Sequence, residues 1–191
     1  DLRTSRGLGD VYKRQSQDGG ENWTSVLGSG SNSAYFSEIE VNTEGVVYAS
    51  LSSDGVDKGI WRSENGIEWN NILPEDWPST YDRIKMAINP HNENEVYFIA
   101  VTPGAGQASI TFSDETEHCS LWKYTYSIED TTSQMGVWED LSSNIPTGIG
   151  SNFDNFYAQG SYNLTIAISP FDENNIFLGG TNLYVSTDGF S

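Results

Sequence analysis

Ser16-Gln17-Asp18-Gly19-Gly20-Glu21-Asn22-Trp23 decides the fold, because the chain uses it more than once. Ser63-Glu64-Asn65-Gly66-Ile67-Glu68-Trp69 is a copy one residue shorter, with Asn in the Asp place. Ser186-Thr187-Asp188-Gly189-Phe190-Ser191 is a third, cut off by the end of the chain. An Asp or Asn side-chain oxygen accepts backbone N–H groups two residues on, and Ser does the same more weakly. The glycine that follows supplies the positive φ of a tight hairpin. The Trp starts the return strand, and its ring is expected to fold back and bury a large apolar area. Ser16, Asp18, Gly20, Trp23, Ser63, Asn65, Gly66, Trp69, Ser186, Asp188 and Gly189 are therefore assigned to holding turns.

A wider repeat surrounds these turns. Ile84-Lys85-Met86-Ala87-Ile88-Asn89-Pro90 leads through five polar residues into Val96-Tyr97-Phe98-Ile99. Leu164-Thr165-Ile166-Ala167-Ile168-Ser169-Pro170 leads through the same gap into Ile176-Phe177-Leu178. Glu38-Ile39-Glu40-Val41 and Gly45-Val46-Val47-Tyr48-Ala49 form a leaner version. Short β-branched and aromatic runs bounded by Pro, Asn, Asp and Gly read as strands, and no window carries a useful helical period. Each unit then has four strands, the third entering the turn and the fourth starting at its Trp. A four-stranded meander repeated at this spacing predicts an all-β, partial β-propeller of antiparallel blades. The tail of one blade covers about 22–27. Two nearly complete blades cover roughly 33–73 and 82–141, and three opening strands of another run from about 162. In the middle blade Leu121–Tyr126 is the third strand, and a loop, Ser127–Met135, replaces the turn motif.

The turn pattern resembles the Asp-box, or bacterial neuraminidase repeat, of sialidases, sortilin-type receptors and some xyloglucan-cleaving glycosidases. The stretch IAISPFDENNIFLGGTNLYVSTDGF, ending at Phe190, looks most like sortilin-type and photosystem-assembly-factor-type repeats. Those families share a β-propeller but no single reaction. Similar repeats are common in large secreted or surface proteins of marine Bacteroidota-like bacteria. The resemblance covers about 16–191 and implies an extracellular or cell-surface binding or scaffolding propeller, with no catalytic residue in this segment. The alternative is a fragment of a secreted glycoside hydrolase, xyloglucanase-like or sialidase-like, whose active site other blades complete. A pair of carboxylates or three arginines facing the central channel would favour that enzyme.

Residues 1–15 end in GLGDVYKRQ, which resembles translated sequencing-adapter read-through at the ends of metagenomic reading frames. This head is set apart from the propeller fragment 16–191 and is expected to form no ladder with the blades. Propellers close with four to eight blades, so the remaining blades of a longer chain are the first expected partner. The formal net charge is −18, and beyond residue 15 five Lys and Arg face twenty-five Asp and Glu. That excess repels nucleic acid and anionic membrane surfaces. No apolar run reaches transmembrane length, so membrane insertion is not expected. Cys119 is the single cysteine, which leaves no internal disulfide framework.

No cofactor or metal is expected. His118 and Cys119 are neighbours on a strand and point to opposite faces, and the acidic turns lack the alternating oxygen ligands of a calcium loop. Sialidase chemistry needs an arginine cluster, yet only Arg62 and Arg83 lie outside the head, and only Arg83 opens an inner strand. Function is sought instead in the long loops, Ser52–Lys58, Pro74–Tyr81, Thr102–Ser120 and Ser142–Ser161, which emerge on one face of a meander array. They carry Trp77, Tyr81, Phe153, Phe156 and Tyr157, aromatic platforms suited to a neutral glycan or a protein ligand.

Overall fold

The computed structural model describes residues 13–28, 34–132, 134–148 and 150–191. Strands β1 (Lys13–Gln15) and β2 (Thr24–Leu27) form a first sheet. The second holds β3 (Ser37–Val41), β4 (Val47–Leu51), β5 (Gly59–Ser63) and β6 (Asn70–Asn71), each paired antiparallel with the next. In the third, β7 (Ile84–Ile88), β8 (Glu95–Val101), β10 (Thr116–Tyr126) and β11 (Gly136–Asp140) lie in that order, and β9 (Gln107–Ile110) pairs with the first part of β10. The fourth is β12 (Thr165–Ile168), β13 (Ile176–Gly179) and β14 (Leu183–Ser186). The leading strands β3, β7 and β12 lie side by side. The chain is a partial β-propeller of antiparallel blades.

Two of the sequence boundaries move. Lys13–Gln15 pairs with Thr24–Leu27, and the Lys13 ammonium donates to the Glu38 carbonyl at 2.7 Å. The expectation that nothing up to Gln15 joins a ladder therefore fails for these three residues; residues 1–12 lie outside the described ones. The third strand of the middle blade starts at Thr116 rather than Leu121, because its extension is paired by β9. Most of the supposed loop 102–120 is a hairpin.

Blades meet through alternating faces. Phe98 and Trp122 are cross-strand partners facing the second sheet, where they join Tyr48, Ile60, Met86 and Tyr124 in one buried layer. The Trp138 indole donates to the Ile72 carbonyl across that joint at 2.8 Å. Tyr97, Ile99 and Leu121 face the other way, into an aliphatic layer with Ile166, Ile176 and Leu178. Equivalent cross-strand pairs mark each blade: Tyr48 with Arg62, Tyr97 with Lys123, Phe177 with Val185. Tyr48 and Tyr97 are covered by the following blade, whereas Phe177 and Val185 are open to solvent.

The three recurrent turns share one hydrogen-bond device, and serine is its centre. The hydroxyls of Ser16, Ser63 and Ser186 accept the N–H groups of Gly20, Gly66 and Phe190 at 2.7–2.8 Å. Each donates to the side-chain oxygen two residues on, in Asp18, Asn65 and Asp188. The serine is thus no weaker a partner than the acid. Asn65 accepts the N–H groups of Ile67 and Glu68, while Asp18 accepts that of Asn22. The Asn22 N–H, the Ser16 hydroxyl and the Asn22 amide hold the Asp18 carboxyl well below the ordinary carboxylate range. A depressed value stabilises the fold above the ordinary range and stops doing so as pH falls through it. Gly19, Gly66 and Gly189 take φ near +73°. Trp23 folds back, its indole bonding to the Gly20 carbonyl, but stays 58% exposed. Among the described residues its sheet has two strands and neither covers the ring, so the expected burial fails there; Trp69 is better covered, packed against the cluster that holds Ala49 and Leu51.

Ser63 is fully buried, whereas the Ser16 turn is exposed. Ser63→Ala is expected to cost about 1–2 kcal/mol, since it strands a turn N–H away from water, and Ser16→Ala clearly less. Chemical denaturation of the two variants checks this; equal losses would mean that burial does not set the cost.

Candidate functional site

Three of the five aromatic candidates are core residues. Trp77, Tyr81 and Phe156 are 5%, 1% and 0% exposed. Trp77 packs against Tyr81, Trp122 and Trp138 with ring centroids 6.1, 5.5 and 5.9 Å away. Phe156 lies 6.0 Å from the Tyr184 ring. Their expected exposure is corrected: long loops over a propeller still need anchors, and large rings supply the apolar area.

Phe153 and Tyr157 stay accessible, and a residue not singled out in the sequence joins them. Phe112 sits in the turn between β9 and β10, 48% exposed, and Phe153 is 69% exposed. Their rings are stacked, 9° from parallel with centroids 5.7 Å apart, and Tyr157 meets Phe112 edge-on at 5.6 Å. The signal for this hairpin was present. Alternating residues on both sides of Ser113-Asp114 read as two short strands around a turn, and Asp114 takes φ +59°.

Polar side chains fasten the hairpin to the loop. The Glu117 carboxylate accepts the N–H groups of Ala158 at 2.6 Å and Gly160 at 2.7 Å. Asn155 donates to the Ile110 carbonyl at 2.9 Å, and Asn152 donates to the Asp114 carboxylate at 3.3 Å. Asn182 of the fourth blade bonds the Phe153 carbonyl, and the Tyr184 hydroxyl bonds that of Asp154. The stack thus rests on two blades and is held from behind. Burial, then the Glu117 and Glu115 carboxylates, raises the Tyr157 phenol above its ordinary range, so it is a neutral donor there. Cys119 is buried beneath, its thiol pushed up by burial and by Glu117, and is no nucleophile.

Glu38 and Glu40 form a second cluster that the sequence did not single out. They share one face of inner strand β3, about 6.6 Å apart along it. Lys85 of β7 pairs with Glu38 at 2.6 Å. Burial, and then Glu38, raises the Glu40 carboxyl, with Lys85 opposing. Arg62 is buried, bonded to Glu64 and 3.7 Å over the Tyr126 ring, which makes it part of the scaffold. Arg83 lies over the Phe36 ring and donates to the Tyr162 carbonyl at 3.4 Å. Among the described residues, no group of three or more His, Cys, Asp or Glu is placed to hold a metal ion.

No family model matches the chain, and neither does any curated protein. Among solved structures, the GH74 enzyme of Niastella koreensis superposes with a TM-score of 0.61 over 93% of this chain, at 18% identity. The likeness is one of fold. It sets this chain beside a β-propeller glycoside hydrolase, of which the matched region makes up 25%.

Proposed function

We propose that residues 16–191 are a non-catalytic binding or scaffolding segment of a larger propeller protein, secreted or held at the cell surface. We read the three turns as Asp-boxes of the sortilin-like kind, and the other blades of the longer chain as its structural partners. The ligand is a neutral glycan or a protein, engaged on the long-loop face. The observation that carries this reading is the exposed Phe112–Phe153 stack with Tyr157 at its edge, fixed from behind by two blades. Aromatic rings held open at this cost in apolar exposure are contact surfaces. A glycan-array and pull-down comparison of the chain with its Phe112→Ala, Phe153→Ala variant tests it. Binding should fall at least tenfold while the denaturation midpoint stays put, and unchanged binding removes the surface from consideration.

The Glu38–Glu40 pair favours a second reading, a hydrolase fragment. Glu38 pairs with Lys85, while burial and Glu38 raise the Glu40 carboxyl, and glycoside hydrolysis uses two carboxyls in unlike environments. The glycoside hydrolase neighbour supports it as well. Turnover of a polysaccharide that Glu40→Gln abolishes would establish this reading over the first.

A further inference from the structure

We propose that the Phe112–Phe153 stack docks an arginine side chain of a protein partner. This rests on the reading of that face as a binding surface and commits it to one ligand chemistry. Negative charge surrounds this apolar surface. From Met86 to Ser191 the chain has a single Lys or Arg, Lys123, against thirteen Asp and Glu. Lys123 pairs with Glu139 seven residues along β10 from Thr116, about 23 Å from that end of the strand. Arg83, which reaches the loop face from the other side, is held against Phe36 and Tyr162.

Asp114, Glu115 and Glu117 stand on the hairpin and Asp154 beside Phe153, so the rings open into a field of one sign. Three of these carboxylates already serve the scaffold: Asp114 takes Asn152, Glu117 takes the loop backbone, and Asp154 takes Ser151. Glu115 sits beside Tyr157, close enough to act on its phenol. A flat guanidinium can lie on the open face of Phe153 and reach a carboxylate at the rim. A lysine ammonium satisfies the charge but not the plane. A neutral sugar gains the ring face and nothing from the field, and an anion is repelled.

The test immobilises the full chain and measures a synthetic peptide of alternating glycine and arginine by surface plasmon resonance. A glycine–lysine peptide and a neutral gluco-oligosaccharide serve as parallel probes. Phe153→Ala leaves the net charge unchanged and should weaken the arginine peptide about tenfold, with a smaller change for the lysine peptide. Glu115→Gln should weaken both. Phe171→Ala, at a ring 93% exposed on the opposite turn face, should change neither. Arginine binding that ignores Phe153 is diffuse charge attraction and overturns the proposal. If the oligosaccharide binds and Phe153→Ala abolishes it while the peptides do not depend on that ring, the face remains a ligand surface and the arginine assignment falls. If no probe depends on Phe153, both fall together.

Discussion

Replacing Trp77 with alanine is expected to cost about 3–5 kcal/mol, the range for removing a buried large aromatic ring. Trp77 is 5% exposed and sits where Tyr81, Trp122 and Trp138 converge. No residue nearby is free to collapse into the space, because the neighbours are rings already committed to one another and Trp138 is tied to the Ile72 carbonyl. A loss of this size is a large share of a typical domain's stability. Guanidinium denaturation of the variant reads it, and the same preparation, kept below its midpoint, should retain ligand binding. A stability change under 1 kcal/mol with lost binding would restore Trp77 to the contact surface.

Glu117→Gln should be the most damaging single-atom exchange on the loop face, at about 2–3 kcal/mol. The carboxylate accepts two backbone N–H groups, and bonds to a charged acceptor are the stronger kind. Glutamine keeps one acceptor oxygen and turns an NH2 toward the other N–H, donor against donor. Hydrogen exchange should quicken at Ala158 and Gly160 while the strands of the second sheet stay protected. Unchanged exchange there would mean that the loop is held by Asn155 and Asn182 alone.

The architecture was legible because each of its signals is local. Ser63, Asn65 and Gly66 make their turn with one another, and the Ile-x-Pro strands announce themselves by short-range alternation. The site was legible only in outline. Loop length and ring content pointed to the face that carries the Phe112–Phe153 stack, but whether a ring points in or out depends on a neighbouring blade. Phe156 and Phe153 are three residues apart with opposite fates. Phe112 was hidden because it becomes an aromatic partner only when a hairpin from one segment meets a loop forty residues later. Glu38 and Glu40 were two acids among many until Lys85 of the next blade separated their environments.

The inter-blade joints also differ in what light they emit. Trp77, Trp122 and Trp138 all belong to the joint between the second and third sheets, and the layer between the third and fourth contains no tryptophan. The other three, Trp23, Trp61 and Trp69, lie farther toward the start of the chain. Intrinsic fluorescence therefore watches the seam between the second and third sheets, and through Trp61 and Trp69 the layer that Leu27 shares with Ala49 and Leu51, but is blind to the seam between the third and fourth. Parting of the fourth blade from the third would proceed optically silent under tryptophan excitation, with Tyr97 and Tyr184 the native chromophores at that seam.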